Sequence, residues 1–223
     1  MNTAVLFDWD GTLMDSHSAI LAAYRSATTS VIGRRFPDTQ DEIDLIRPMR
    51  AQQSFPLLSD DPKTVAELIA AYNDAYVRES VTTAHAFPGV ERLLGRLRDG
   101  GQTLAVVSSK AGSRIAADAV QESLDSFFDT VISGDTSAEV KPHPGPILDA
   151  LAALEVPADQ AIYVGDGPQD VIAGRDAGVF TVGVTYGLHS AAEVAGERPD
   201  ALANNIDELE SAILGAVAIR AEG

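Results

Sequence analysis

The chain has 223 residues, 45% of them hydrophobic, which suffices for one sizeable core or for a core domain with a small insertion. Sixteen basic against 33 acidic side chains leave a formal net charge of −17 with no dense Lys/Arg run, which argues against nucleic acid as a partner and means that an anionic substrate would need a locally positive site. Cysteine is absent, so disulfides, thiol catalysis and cysteine-based zinc sites are excluded together.

In chain order, the apolar run Ala4-Val5-Leu6-Phe7 predicts a buried strand that ends in Asp8-Trp9-Asp10-Gly11-Thr12-Leu13-Met14-Asp15-Ser16. Ser16 or Ser18 can cap a helix carrying Ile20, Leu21, Tyr24, Ala27 and Val31 at helical spacing, closed by Gly33. Pro37, Pro48, Pro56 and Pro62 break up residues 34–62. Asp61-Pro62 then opens an amphipathic helix with Val65, Leu68, Ile69, Tyr72 and Tyr76 on one stripe, expected to end near Ser80. From Phe87 onward helix and apolar strand alternate. A helix runs to Arg98, then come a strand at 103–107, a helix at 112–123, a strand at 130–133, a helix opened by Pro144 and Pro146, a strand at 161–164, a helix to Ala177, a strand at 180–184 and a last helix at about 207–221.

This alternation predicts an α/β fold with a doubly wound, Rossmann-like parallel sheet. Residues 1–16 and 85–223 are expected to form the α/β core, and the helical stretch 17–84 reads as an inserted cap. No apolar run approaches the roughly 18 residues of a membrane helix. The N-terminus enters a strand within four residues without an export signal, so a soluble, cytoplasmic protein and no membrane partner are expected.

Ligands of open parallel sheets bind beyond the carboxyl ends of the strands, which places Asp8 and Asp10 for chemistry. Strand alternation lets the two acids share a side, with Trp9 turned inward. A bare Asp-x-Asp-Gly could equally be a turn. Polar groups recur, however, after later apolar segments: Ser108 after Leu104-Ala105-Val106-Val107, Lys141 after Val140, and Asp166 and Asp170 after Ile162-Tyr163-Val164-Gly165. Taken singly, Ser108 reads as a helix cap, Lys141 as a solvated loop lysine, and Asp166 and Asp170 as residues of a helix start.

Together these four motifs resemble those of haloacid dehalogenase superfamily phosphatases, of the phosphoglycolate phosphatase-like group with a helical cap. The match spans nearly the whole chain. One departure is Gly167, where relatives often carry Ser or Thr after the Gly-Asp of the fourth motif. The resemblance implies that Asp8 is the nucleophile, forming an aspartyl-phosphate that water hydrolyses. Asp10 would protonate the leaving alkoxide and then activate the water. Ser108 and Lys141 would contact the phosphate. Two carboxylates facing a phosphate need a hard cation between them, and Mg2+ fits. Its ligands would be the side chains of Asp8 and Asp166 and the backbone carbonyl of Asp10, with Asp170 holding the acidic cluster in place.

The implied activity is hydrolysis of a small phosphorylated metabolite. A sugar-phosphate mutase, a pyrophosphatase and a non-catalytic module on the same fold are the alternatives. A dehalogenase would lack the second acid, present here as Asp10, and a phosphonate hydrolase would need a cap lysine, for which only Lys63 is available. In the cap stretch, Arg47 and Arg50 flank Pro48 and Met49 and are candidates to meet a second anionic group on the substrate, the competing reading being surface ion pairs with acids such as Asp41, Glu42 or Asp44. Lys110, Asp15, His143 and His189 are given no role. Oligomeric state is not readable from these residues.

Overall fold

The computed structural model describes residues 3–47 and 49–221. Pro48, expected to stiffen the segment between the two arginines, lies outside the described residues. The chain divides into two compact units, one of Met1–Asp15 with Ala86–Gly223 and one of Ser16–His85.

The strands are β1 (Ala4–Phe7), β2 (Met14–Asp15), β3 (His85–Ala86), β4 (Thr103–Val107), β5 (Thr130–Ile132), β6 (Ala161–Gly165), β7 (Phe180–Val184) and β8 (Ala201–Ala203). The helices are α1 (His17–Ile32), α2 (Gln40–Ile46), α3 (Ala51–Ser54), α4 (Pro62–Thr83), α5 (Val90–Asp99), α6 (Gly112–Gln121), α7 (Gly145–Leu154), α8 (Pro168–Ala177), α9 (Ala191–Gly196) and α10 (Ile206–Ala221). Among them no helix is long and apolar enough to cross a membrane.

The first unit is built on a six-stranded sheet of order β5-β4-β1-β6-β7-β8, with every pairing parallel. Ala4 pairs with both Thr103 and Ala161, and Phe7 with both Val106 and Val164, so β4 and β6 end level, one residue past the end of β1. Successive strands run outward from β1 to β4 and β5, and the chain then returns to lay β6, β7 and β8 on the other side of β1. The winding direction therefore reverses between β1 and β6, and the crevice beyond their carboxyl ends is where such sheets bind ligands.

A strand covered on both faces needs apolar side chains at every position, which accounts for the unbroken runs in β1, β4 and β6. On one face Ala4, Leu6, Ala105, Val107, Ala161 and Tyr163 pack with Ile147, Ala150 and Leu151 of α7 and Ala173 and Ala177 of α8. The alternate residues Val5, Phe7, Leu104, Val106, Ile162 and Val164 are equally buried. Fully burying one such Val, Leu or Phe contributes about 1.5–3 kcal/mol.

The second unit has its own small core. Tyr24 of α1, Phe55 and Tyr72 of α4 pack with ring centroids 4.8–6.0 Å apart, and the Tyr24 hydroxyl shares a 2.8 Å hydrogen bond with Ser54. Asp61 caps α4 by accepting from the backbone N–H groups of Lys63 and Thr64. The helix then passes its expected end at Ser80 and continues to Thr83.

Two expectations are corrected here. No strand precedes Lys141, because Val140 lies in the loop between β5 and α7: one β-branched residue in a polar segment does not make a strand. Ser108 is not a helix cap, since α6 begins at Gly112 with Ala111 at its N-cap position.

Candidate active site

Asp8 is the first residue beyond β1 and its N–H donates to the carbonyl of Val164 at 2.8 Å, which extends the β1–β6 ladder by one bond. Asp166 follows β6 directly, and its Oδ2 accepts from the N–H of Leu188 at 2.6 Å. Asp170 sits in the first turn of α8. Its Oδ2 accepts from the N–H of Gly167 at 3.0 Å, and its Oδ1 accepts from Lys141 Nζ at 2.6 Å and Tyr163 Oη at 3.1 Å. The missing hydroxyl at Gly167 therefore leaves that turn closed through its backbone.

One oxygen from each of Asp8, Asp166 and Asp170 falls within 4.8 Å of the others, and all three residues are buried. Gly11 is required at this point on two counts: its φ is +79°, and a β-carbon there would lie 2.3 Å from Asp166 Oδ2.

Lys141 is the cation of the cluster. Its Nζ is 3.0 Å from Asp8 Oδ1 and also donates to Val107 O at 3.3 Å and meets Tyr163 Oη at 2.9 Å. Ser108, one residue beyond β4, donates its N–H to Ile132 O at 2.9 Å, and its Oγ accepts from the N–H of Lys110 at 3.3 Å. The structure thus brings Asp8, Lys141, Asp166 and Asp170 together at the switch point, with Ser108 at the end of the adjoining strand.

Asp10 lies just past the end of the strand. The strand stops at Phe7, so two-residue alternation no longer governs Asp10. It lies in a tight turn in which Leu13 and Met14 both donate to Trp9 O at 3.0 Å. Its Oδ1 accepts from Lys110 Nζ at 2.7 Å, and its carboxylate is not part of the described three-acid cluster.

The electrostatics follow from burial. Desolvation raises the Asp8 pKa to about 6, against the pull of Lys141 and with the push of Asp170. Desolvation likewise lifts Asp166 well above the carboxylate range, helped by Asp170 and Asp8. Burial alone would lower Lys141, but the Asp170 and Asp8 carboxylates overcome it and raise its pKa. Three buried carboxylates facing one ammonium lack positive charge, and an all-oxygen donor set of this kind fits a hard divalent cation.

Arg47 and Arg50 belong to the second unit. Arg47 forms an ion pair with Asp44, the surface pairing that competes with a substrate role. Arg50 occupies the N-cap position of α3, with its N–H donating to Gln53 Oε1 at 3.0 Å, and its guanidinium Nε is buried without a hydrogen bond. Lys63 is largely exposed beside Glu67.

Three residues given no role from sequence stand in or beside the site. Lys110 is buried between Asp10 and Asp118, and Tyr163 bridges Lys141, Asp170 and Val107 O. Available signals were the scarcity of lysine, which occurs three times in the chain, and an acid, Asp118, three residues from Ile115 on the buried stripe of α6.

The chain is similar to known proteins over most of its length. The signature of the haloacid dehalogenase-like hydrolases matches residues 5–184. Pyrophosphatase PpaX of Bacillus cereus (strain Q1) is 27% identical over 205 residues, covering 92% of this chain and 93% of the relative. Probable phosphatase IndB of Dickeya dadantii (strain 3937) is 30% identical over 223 residues, covering 95% and 94%. The crystal structure of a predicted phosphatase from Clostridium acetobutylicum superposes with a TM-score of 0.82 at 27% identity, covering 96% of this chain and 99% of that one. The chain belongs to the haloacid dehalogenase-like hydrolase family, and its fold and relatives are those of the phosphatases within it.

Proposed function

We propose that this hydrolase cleaves phosphate monoesters of small metabolites through a phosphorylated Asp8. The observation that carries the reading is the position of Asp8, a buried carboxylate at the switch point with one oxygen 3.0 Å from Lys141 Nζ. An Asp8 oxygen would attack phosphorus as the ester P–O bond breaks, while Asp10 gives its proton to the departing alkoxide. A water that returns its proton to Asp10 would then attack the same phosphorus, breaking the bond to Asp8 and releasing inorganic phosphate. Lys141 and the Ser108 hydroxyl would neutralise and orient the equatorial oxygens, the main protein contribution to phosphoryl transfer.

Asp8 and Asp166, together with the Asp10 carbonyl, would hold Mg2+, with Asp170 anchoring Lys141 beside them. When bound, the ion supplies positive charge that allows an anionic ester to approach carboxylates. The residues of the Ser16–His85 unit would act as the cap that selects the substrate.

The test is turnover of a panel containing phosphoglycolate, sugar phosphates, nucleoside monophosphates and pyrophosphate, with Mg2+ and with a chelator. Release of phosphate from at least one monoester, abolished by chelator and restored by Mg2+, is expected. Phosphate released from pyrophosphate alone would instead favour the activity named for the Bacillus relative. Conversion of one sugar phosphate into its isomer without phosphate release would replace the hydrolase reading by a mutase.

A specificity test falls on Arg50, whose buried Nε has no hydrogen bond of its own. Arg50→Ala should raise KM for phosphoglycolate by about 10- to 100-fold, the usual scale for losing a charge-assisted contact, with an uncharged aryl phosphate changed by less than about threefold. Equal changes on both substrates would remove Arg50 from substrate recognition.

A further inference from the structure

Lys110 is one of two lysines buried in the first unit, and it is held on two sides. Its Nζ lies 2.7 Å from Asp10 Oδ1 and 2.6 Å from Asp118 Oδ2. Its side chain and that of Asp118 are 2% and 3% exposed, whereas that of Asp10 is 21% exposed. The same Asp118 oxygen accepts from the indole Nε1 of Trp9 at 3.1 Å. The fully buried Trp9 ring in turn meets Phe128 edge-on, with centroids 6.0 Å apart.

These contacts form a continuous chain, Phe128–Trp9–Asp118–Lys110–Asp10, whose three central members are buried and which ends at the partly exposed Asp10. Neutralising a buried ammonium takes only one carboxylate, and Asp118 supplies it. The second carboxylate belongs to the turn after β1, and the backbone N–H of Lys110 donates to Ser108 Oγ at 3.3 Å, so one residue ties the first motif to the second. The turn itself is buried, but the Asp10 side chain is partly exposed and, without Lys110, would have several rotamers open to it. A lysine immobilised from behind restricts it to one, and misplacing a reacting group by about 1 Å can cost about 100-fold in rate.

We propose that Lys110 is a positioning residue for Asp10, aimed by Asp118 and Trp9. The inference rests on the acid–base role proposed for Asp10, and the experiment separates the two. Lys110→Met should lower kcat for an alkyl phosphate by about 100-fold with KM changed less than about threefold, the pattern of a group that acts in the transition state. On an aryl phosphate with a good leaving group, which needs no acid, Lys110→Met should release a burst of aryl alcohol equal to the enzyme and then turn over slowly, because the base for the second step is misplaced. Asp10→Asn should give the same burst. Lys110→Arg should recover part of the alkyl phosphate rate, and Asp118→Asn should show a smaller loss with the same split between kcat and KM.

If Lys110→Met fails to fold, the double variant Lys110→Met with Asp118→Asn removes both buried charges and is assayed in its place, and burst amplitude counts only folded, competent sites. A burst with Asp10→Asn but none with the lysine variant would overturn the positioning role alone. Alkyl phosphate turnover within about twofold of the unmodified enzyme would do the same. Absence of a burst with Asp10→Asn would instead overturn the acid–base reading from which the inference starts.

Discussion

Replacing Asp8 by Asn is expected to lower kcat by about 10⁴-fold or more on every phosphate ester, the scale seen when a covalent nucleophile is removed. The amide keeps the shape of the side chain and can still sit beside Lys141, but its oxygen is a poor nucleophile toward phosphorus. Stability should move the other way. Burial holds the Asp8 pKa near 6 against an ordinary value of 3.8, so at neutral pH the folded, metal-free protein carries an ionised carboxylate that it accommodates less well than the unfolded chain does. Lys141 keeps Asp170 as a partner 2.6 Å away when Asp8 is neutral. Asp8→Asn should therefore melt at the same temperature as the parent or a few degrees higher in chelator at pH 7.5, measured by calorimetry. A variant that is inactive because it is unfolded, or one that retains turnover, would remove Asp8 from the nucleophile's position.

The parts of the molecule readable from sequence are those where local pattern and tertiary role coincide. β1, β4, β6 and β7 are covered by helices on the inside of the sheet, so each is an apolar run that announces itself. Asp8 and Asp166 follow from this, being the first residues after two such runs that turn out to be neighbours. The edge strand β8 leaves no mark in the sequence, because Ala201-Leu202-Ala203 is short, carries no β-branched residue and owes its extended form to pairing with β7. The six-residue helix α9 is too short for a helical period to stand out, although Ser190 and Glu193 form a capping box at its start. At the end of α4 the helix passes the stop expected near Ser80 and runs through the β-branched Val81, Thr82 and Thr83, tertiary context overriding propensity.

Within the site, the legible residues are fixed by backbone position and the illegible ones by the reach of a side chain. Asp170 is placed by its spacing into a helix start, and its carboxylate closes the turn at Gly167 as that spacing suggests. Lys110 and Tyr163 act through a terminal amine and a phenolic oxygen several bonds from the backbone. Tyr163 occupies an ordinary buried strand position, and only the assembled sheet brings its hydroxyl to Val107 O at 3.1 Å and to Asp170. Asp10 illustrates the converse: the pattern identifies the residue, while its carboxylate's contact with Lys110 comes from the reach of a lysine 100 positions away in the sequence.

Mg2+ should stabilise the protein, and by more at pH 8 than at pH 5. Asp8 titrates near 6 in the folded, metal-free protein and near 3.8 when unfolded, and burial displaces Asp166 in the same direction. Between those values the folded chain holds more protons than the unfolded chain, so the stability of the metal-free protein falls as pH rises through about 4 to 6. A cation bound by these carboxylates must displace their protons, which costs more affinity at pH 5 than at pH 8. At about 100 times its dissociation constant a ligand adds about 2.7 kcal/mol, which for a chain of this length corresponds to a rise in Tm of about 5–10 °C. Calorimetry at pH 8 with saturating Mg2+ should show an increase on that scale, shrinking by more than half at pH 5 with the same Mg2+ concentration. Asp166→Asn should abolish the increment at both pH values, since it removes a cluster carboxylate that does not contact Lys141. Equal increments at pH 5 and 8, or an increment that survives Asp166→Asn, would place the cation somewhere other than among Asp8, Asp166 and Asp170.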